Sequence, residues 1–434
     1  MKQKIRFLCI LLLTVLLCTG CATQGKNIKS VTINSDGELI LRYTDGTKDN
    51  LGVVVGSDGQ DGANGSDGQD GSDGQDGQDG ADGQDGADGL QGEPSGTLAT
   101  AKALRSAVSI FCDFSSYSSA GSGVIYRLDK TQGNAFIITN YHVVYDSSYR
   151  YNNGICQDIY VYLYGSELAD HELKATYVGG SQNYDIAVLY VEGSDMLKSD
   201  FVSAVTVADS DLVCAGDVAI AVGNPESMGI STSRGVVSVD SEHITMTAAD
   251  EKTEVSFRVM RIDTAVNPGN SGGGLFDQNG DLIGIVNAKT SDTTVENIGY
   301  AIPSNVALAV AENIREHCFG TSKTGVQRAL MGVTVATTES RAELEEATGK
   351  IRIVEKVEIY EVSRGSLAYG KLQAGDVLVS AVIGEKNVNI TRQHHIVDAM
   401  LNARLGDTVS ITVLRNGQTV EVSMTVTAAH ITEY

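Results

Sequence analysis

Short alternations of apolar and polar residues dominate the hydrophobic pattern of this chain. Between residues 31 and 55 they surround the turn signals Asp36-Gly37 and Asp45-Gly46, which predicts a small module of strands joined by hairpins. From about 100 to 320, short apolar runs recur, such as 135–139, 159–164, 218–222 and 282–286. They do not alternate with helical patterns as the strands of βαβ units do. This stretch is therefore predicted to be an all-β domain without βαβ units.

The C-terminal third has a mixed pattern. A helix-like segment covers residues 391–402, and two strand-like segments, 409–414 and 419–426, flank Asn416-Gly417. Asn-Gly between alternating runs is a strong hairpin signal. We therefore predict a small α+β domain after the all-β domain.

The first residues resemble an export signal. Lys2, Lys4 and Arg6 precede an eleven-residue apolar run, 7–17, which is too short for a bilayer span of roughly 20 residues. Cys18-Thr19-Gly20-Cys21 follows and resembles a lipoprotein cleavage site, with Cys21 as the lipid attachment point. Ordinary secretory cleavage near Gly20 is the alternative. Both readings place the mature chain outside the cytoplasm, and lipidation would anchor it to the membrane at the cell surface.

A glycine-rich tract separates this segment from the all-β domain. Of the 48 glycines, 13 lie at three-residue spacing from Gly56 to Gly92, whereas the whole chain has only 4 prolines. Glycine at every third position fits a collagen triple helix, but collagens are also rich in proline. The tract is therefore either a collagen-like stalk or a self-repelling acidic spacer. Either form would reach on the order of 100 Å.

The net charge and the cysteine content limit which classes of partner and cofactor this chain is expected to have. The formal net charge is −23, which disfavours nucleic acid as a partner. Four cysteines lie beyond the N-terminal segment, and they could form two disulfides or remain buried thiols: Cys112, Cys156, Cys214 and Cys318. No metal and no cofactor is predicted, since His171-Glu172 lacks the second histidine of H-E-x-x-H.

Three polar stretches within the all-β domain supply the residues of a nucleophilic acyl transfer. They are Thr139-Asn140-Tyr141-His142, Asp185-Ile186-Ala187 and Asn267-Pro268-Gly269-Asn270-Ser271-Gly272-Gly273. A serine hydroxyl needs a neutral imidazole to take its proton, and a carboxylate orients that imidazole. Glycines beside the serine allow backbone N–H groups to face the oxyanion. The chain order His–Asp–Ser is that of chymotrypsin.

Residues 104–318 resemble the trypsin-like domain of the HtrA/Deg serine proteases. The resemblance implies a chymotrypsin-like double β-barrel with catalytic His142, Asp185 and Ser271. It also implies an oxyanion hole from the amides of Gly269 and Ser271, helped by Asn270. The implied substrate-binding pocket for the side chain before the cleaved bond is lined by Thr264, Ala265, Ile285, Val286 and Asn287. Family protease domains usually trimerise, so a homotrimer is expected.

The C-terminal domain resembles a PDZ domain. Leu330, Met331, Gly332 and Val333 would form the loop that captures a peptide carboxylate, and Leu372-Gln373-Ala374-Gly375-Asp376 matches a second PDZ motif. His394 and His395 lie near the start of the helix that would line the peptide groove. We expect them to be solvated.

Together these features predict a mainly β protein with an extended or collagen-like N-terminal stalk. The expected boundaries are a signal peptide at 1–20, an anchor and short β module at 21–55, the stalk at 56–94, the protease domain at 100–320 and the PDZ domain at 329–428. The predicted function is an ATP-independent, surface-tethered serine endopeptidase acting on misfolded or exported polypeptides, with PDZ recognition of peptide C-termini. The alternative is a non-catalytic surface binding or chaperone protein.

Overall fold

The computed structural model describes residues 28–36, 38–53, 96–166, 171–287 and 298–433. At the N-terminus, three strands form one antiparallel sheet in the order β1-β2-β3: β1 (Ile28–Ile33), β2 (Glu38–Tyr43) and β3 (Lys48–Val53). The predicted hairpins are thus present. The predicted export signal, Cys21 and the glycine tract lie outside the described residues.

The first half of the all-β domain is a closed six-stranded barrel. A helix, α1 (Gly96–Leu104), precedes it, and a one-turn helix, α2 (Tyr141–Val144), follows its third strand. Around the barrel the strand order is β4-β5-β6-β9-β8-β7. Alternate residues of these strands, such as Ile110 and Val161, fill the interior. The strands are β4 (Ala107–Asp113), β5 (Ser118–Asp129), β6 (Asn134–Thr139), β7 (Asp158–Leu163), β8 (Leu173–Ser181) and β9 (Ile186–Val191).

A second closed barrel follows in the chain, with the order β10-β11-β12-β15-β14-β13. Helix α3 (Ser304–Cys318) comes directly after it and packs against β8, β9 and β14, so it contacts both barrels. A shared apolar cluster joins the two barrels and includes Ile138, Val188 and Ile285. The strands are β10 (Val218–Gly223), β11 (Ser231–Thr247), β12 (Glu254–Ile262), β13 (Gly274–Phe276), β14 (Leu282–Asn287) and β15 (Gly299–Pro303).

The C-terminal domain packs one helix, α4 (Gln393–Ala399), against a sheet in the order β17-β18-β19-β21-β22, with β20 also paired to β19. Strands β16 and β23 form a separate pair. The predicted Asn416-Gly417 hairpin is confirmed, since both residues have positive φ. The strands are β16 (Gln327–Ala329), β17 (Val333–Glu345), β18 (Lys350–Val362), β19 (Val377–Ile383), β20 (Lys386–Asn389), β21 (Thr408–Arg415), β22 (Gln418–Thr425) and β23 (Ile431–Glu433).

Short 3₁₀ turns link several of these elements. They span Asn152–Gly154, Asp195–Lys198, Ser210–Leu212, Pro225–Ser227, Met400–Asn402 and Ala428–His430. In the part of the chain that the structure describes, no helix has the length and apolar character needed to cross a membrane. Cys112, Cys156, Cys214 and Cys318 are all buried free thiols, which is the second of the two sequence-based alternatives.

The expectation that His394 and His395 are solvated is wrong. Each side chain is only 8% exposed, because the first turn of α4 faces the second barrel rather than water. His394 Nδ1 lies 3.3 Å from Ser241 Oγ, and its Nε2 lies 3.9 Å from Asp211 Oδ1. Burial, followed by the neighbouring Arg258 charge, lowers the pKa of His394, and burial also lowers the pKa of His395. Both imidazoles are therefore neutral at physiological pH.

Candidate active site

His142 follows the end of β6, in the one-turn helix α2. Two contacts of His142 and one of Asn140 hold this segment against Asp185. Its Nδ1 lies 2.7 Å from Asp185 Oδ2, and its backbone N–H donates to Asp185 Oδ1 at 3.0 Å. Asn140, fully buried at the turn between β6 and α2, donates from Nδ2 to the Asp185 backbone carbonyl at 2.8 Å. The imidazole of His142 and the carboxylate of Asp185 thus form the orienting pair that the sequence predicts.

Asp185 immediately precedes β9 and has φ of +49°, in the left-handed region. Aspartate tolerates this conformation better than most residues, and backbone strain of this kind is concentrated at functional sites. The residue is 7% exposed. As an acceptor, the Asp185 carboxylate requires the proton of His142 to reside on Nδ1, which leaves the Nε2 lone pair free to act as a base.

Asn287 adds a third donor to the same carboxylate. It is the last residue of β14, and its Nδ2 donates to Asp185 Oδ2 at 3.0 Å. The side chain is 1% exposed, so it does not form an open pocket wall. Sequence reasoning placed Asn287 in the substrate pocket, whereas the structure directs its amide to the catalytic pair. The sequence signal for this role was a polar residue at the end of an otherwise apolar strand.

The loop that carries Ser271 is fixed by close backbone packing. Gly269 has φ of +97°, and a Cβ there would lie 2.2 Å from the Asn224 carbonyl oxygen. Gly272 has φ of +82°, and its Cβ would lie 2.3 Å from both Ser122 O and Thr139 Oγ1. Glycine is therefore required at both positions. The Ser122 N–H also donates to the Ser271 carbonyl at 2.8 Å.

The backbone amides predicted to form the oxyanion hole differ in their hydrogen bonding. The N–H groups of Gly269 and Ser271 donate to no group in the described ranges. The preceding Pro268 carbonyl is held by the Glu226 N–H at 2.8 Å. Asn270 is different, because its N–H donates to Asn267 O at 3.0 Å. The expected contribution of Asn270 therefore cannot come from its backbone amide.

Ser271 itself is 6% exposed within this loop. Within the described residues, no hydrogen bond joins Ser271 Oγ to His142 Nε2. Hydrogen bonds between a nucleophile and its base are often long without substrate and shorten in the substrate complex. The structure thus brings His142 and Asp185 into direct contact, whereas the described residues show no direct bond between Ser271 Oγ and the imidazole.

The other predicted pocket residues differ in their access to substrate. Thr264, Ile285 and Val286 are buried, and Thr264 Oγ1 donates to Ala219 O at 3.3 Å. Ala265 is exposed. The Val286 backbone pairs with the serine loop, because its N–H donates to Gly273 O and its carbonyl accepts from the Gly272 N–H. Residues 288–297, which continue from this strand, lie outside the described residues.

The predicted peptide loop of the C-terminal domain precedes β17. Met331 is buried, Leu330 is 39% exposed, and Gly332 has φ of +74°. The N–H groups of Met331 and Gly332 donate to no group in the described chain, whereas their carbonyls accept from the Ala368 and Ser363 amides. A loop with unpaired amides beside a strand can bind a carboxylate.

Comparisons with known proteins agree with this geometry. Residues 121–285 match the family model of a trypsin-like peptidase domain, and residues 329–426 match that of a PDZ domain. The serine protease Do-like HtrA of Lactococcus lactis subsp. cremoris is 32% identical over 311 residues, which are 69% of this chain and 69% of that protein. The chain belongs to the HtrA family of serine proteases.

A second curated relative fits the same assignment. The serine protease Do-like HtrA of Bacillus subtilis is 32% identical over 309 residues, covering 69% of this chain and 62% of that protein. Among solved structures, the HtrA-type protease AlgW with tripeptide is 30% identical, with a TM-score of 0.48 and coverage of 77% of this chain and 97% of that one. This HtrA protein is a serine endopeptidase with a PDZ domain, and the predicted mainly β fold with a double β-barrel and an α+β PDZ domain is confirmed.

Proposed function

We propose that this HtrA protein is an ATP-independent, surface-tethered endopeptidase that cleaves misfolded or exported polypeptides through an acyl-enzyme. The observation that carries the proposal is the Asp185–His142 pair beside a serine loop whose Gly269 and Ser271 amides are unpaired in the described chain. Every group needed for acyl transfer belongs to the protein itself. The chemistry therefore requires no cofactor.

The proposed reaction uses each of these groups in turn. His142 Nε2 takes the proton of Ser271 Oγ as that oxygen attacks the peptide carbonyl, and the Asp185 carboxylate stabilises the resulting imidazolium. The amides of Gly269 and Ser271 bind the oxyanion, and each such donor contributes about 3–4 kcal/mol to transition-state stabilisation. The imidazolium then protonates the leaving amine. Water activated by the same base hydrolyses the acyl-enzyme.

The PDZ domain is proposed to bind the C-terminus of a polypeptide. Strand β17 lies at the end of its sheet, so one of its edges is unpaired within that sheet. An extended peptide can add to such an edge as a further strand, while amides at its start bind the terminal carboxylate. Met331 and Gly332 provide those amides, with Leu330 and Val333 on either side.

The proposed location is extracytoplasmic. The basic residues and the short apolar run at the N-terminus support export, and Cys21 is the proposed lipid attachment site. The glycine-rich tract would hold the protease away from the membrane. In a homotrimer, three such tracts would be at high local concentration, which would favour a collagen-like stalk.

Fluorophosphonate labelling tests the catalytic claim. The wild-type protein, with and without peptide C-terminal activators, is expected to be labelled on Ser271 and to cleave unfolded casein. Ser271→Ala should lose both the labelling and the casein cleavage while keeping the wild-type melting temperature. If the wild type is never labelled, or if Ser271→Ala cleaves casein at the wild-type rate, the protease proposal fails and a non-catalytic chaperone function gains support.

A further inference from the structure

A second cluster of chemically capable side chains lies between the protease and PDZ domains. Asp211 belongs to the 3₁₀ turn Ser210–Leu212 of the protease domain, whereas His394 and His395 lie in the first turn of α4. One ligand atom from each of the three side chains lies within 4.8 Å of the other two. We propose that Asp211, His394 and His395 bind a zinc-class divalent ion that joins the two domains.

Hydrogen bonds orient both imidazoles for this role. His395 Nδ1 lies 3.0 Å from the Asn389 carbonyl and 3.3 Å from the Thr391 nitrogen, and the tautomer protonated on Nδ1 would donate to the carbonyl. His394 Nδ1 lies 3.3 Å from Ser241 Oγ, which can accept a hydrogen bond from a protonated Nδ1. Each Nε2 then presents a lone pair. Metal-bound histidines almost always have such a partner on the other ring nitrogen.

The distances fit a site that closes around its ion. Zinc ligands at 2.0–2.2 Å in tetrahedral geometry are about 3.4 Å apart. His394 Nε2 and Asp211 Oδ1 are 3.9 Å apart, and the largest separation in the cluster does not exceed 4.8 Å. Side-chain rotations that move the ligand atoms by roughly an ångström would therefore complete the tetrahedral geometry. A cavity of about 680 Å³ adjoins the cluster, which gives an entry route and room for a water as fourth ligand.

The basic groups nearest the cluster are paired with carboxylates. Arg258 is the nearest fixed positive group, with its Nη2 3.1 Å from Asp211 Oδ1 and 2.8 Å from Asp398 Oδ2. Two carboxylates thus face one guanidinium. Arg392 is likewise shared between two carboxylates, Asp240 and Glu355. Each of the two guanidinium groups beside the cluster is thus shared by two carboxylates.

The donor set indicates which ions would bind. Two imidazole nitrogens and one carboxylate suit Zn²⁺, and also Co²⁺, Ni²⁺ or Cu²⁺, whereas Ca²⁺ and Mg²⁺ prefer oxygen ligands. Three protein ligands with one open position match a zinc site that keeps a water. Since two ligands come from the PDZ domain and one from the protease domain, bound metal would restrict the movement of one domain relative to the other.

Metal titration of the tag-free full chain tests the site. Protein carrying Ser271→Ala, dialysed against EDTA and then metal-free buffer, is titrated with Zn²⁺ by calorimetry and with Co²⁺ by visible absorption. We expect one equivalent of Zn²⁺ per chain and tetrahedral Co²⁺ bands. His394→Gln and Asp211→Asn should each weaken binding by more than 100-fold, whereas His171→Ala, which alters an exposed histidine outside the cluster, should not.

Thermal melts separate loss of the site from loss of the fold. Zn²⁺ should raise the melting temperature of the parent protein and leave that of His394→Gln unchanged. The proposal is overturned if the parent protein binds no Zn²⁺, or if a folded His394→Gln protein binds it as tightly as the parent. The Ser271→Ala background keeps the outcome independent of proteolysis.

Discussion

Asn287→Leu removes one donor from the catalytic carboxylate while keeping a side chain of similar volume. In the wild type, Asp185 Oδ2 accepts both from Asn287 Nδ2 at 3.0 Å and from His142 Nδ1 at 2.7 Å. Without the amide, the carboxylate keeps the His142 contacts but is less firmly oriented. The imidazole is then held less firmly in the geometry that allows Nε2 to act as a base.

The expected magnitude follows from the type of hydrogen bond lost. A hydrogen bond to a charged group contributes about 1.5–3 kcal/mol, and each 1.36 kcal/mol of activation free energy is a factor of ten in rate. We therefore expect kcat to fall by about 10–100-fold. KM should remain within about twofold, because Asn287 is 1% exposed and its amide is directed at Asp185 rather than at substrate.

The assay is steady-state cleavage of a fluorogenic peptide, normalised to sites titrated with a fluorophosphonate. Asn313→Leu is a matched control, since Asn313 is 2% exposed and its amide also caps an acceptor, the Gln327 carbonyl at 2.6 Å. It should lower stability without changing kcat per titrated site. A folded Asn287→Leu enzyme with wild-type kcat, or one whose loss lies entirely in KM, would refute the positioning role.

Three further predictions concern other parts of the chain. Arg415 holds the fully buried Asp376 carboxylate through two hydrogen bonds, so Asp376→Asn should destabilise the PDZ domain by about 3–5 kcal/mol in urea unfolding; a loss below 1 kcal/mol would contradict this. Burial tends to raise the pKa of Asp376, but Arg415 outweighs it and the net pKa is lowered, so this stabilisation should be present above pH 4 and lost as pH falls further. Cys112, Cys156, Cys214 and Cys318 are buried free thiols, so protein denatured without reductant should show four reactive thiols among them, and two would indicate a disulfide. Gly272→Ala should abolish fluorophosphonate labelling, because its Cβ would overlap backbone and hydroxyl oxygens at 2.3 Å; normal labelling would contradict that packing.

Local sequence signals predicted much of the architecture. Short apolar runs identified strands such as β6, β10 and β14 to within one residue at each end, because most residues of these strands are buried on both faces. Asn416-Gly417 fixed the hairpin between β21 and β22, because both residues must adopt positive φ. The pairing of His142 with Asp185 followed from chain order and residue type, without any knowledge of distance.

The features missed by sequence reasoning depend on contacts between distant segments. Asn287 and Asp185 are 102 positions apart, and only the packing of one barrel on the other brings them together. His394 and His395 were predicted to be solvated because a polar helix start normally faces water. Their burial requires packing against the protease domain, whose Asp211 is more than 180 positions earlier in the chain. No periodicity within either segment encodes such a contact.

The end of β14 links the two halves of the catalytic site. The Val286 backbone bonds both to the Gly272 N–H and to the Gly273 carbonyl, which positions the serine loop, while the next residue, Asn287, donates to Asp185. Two consecutive residues of one strand thus bond to the nucleophile's loop and to the carboxylate that orients the base. A one-residue shift in the register of β14 would reverse which side chains face the barrel interior and would displace both contacts together. The separation between Ser271 and His142 is therefore determined by the packing of the two barrels and not by the conformation of either loop alone.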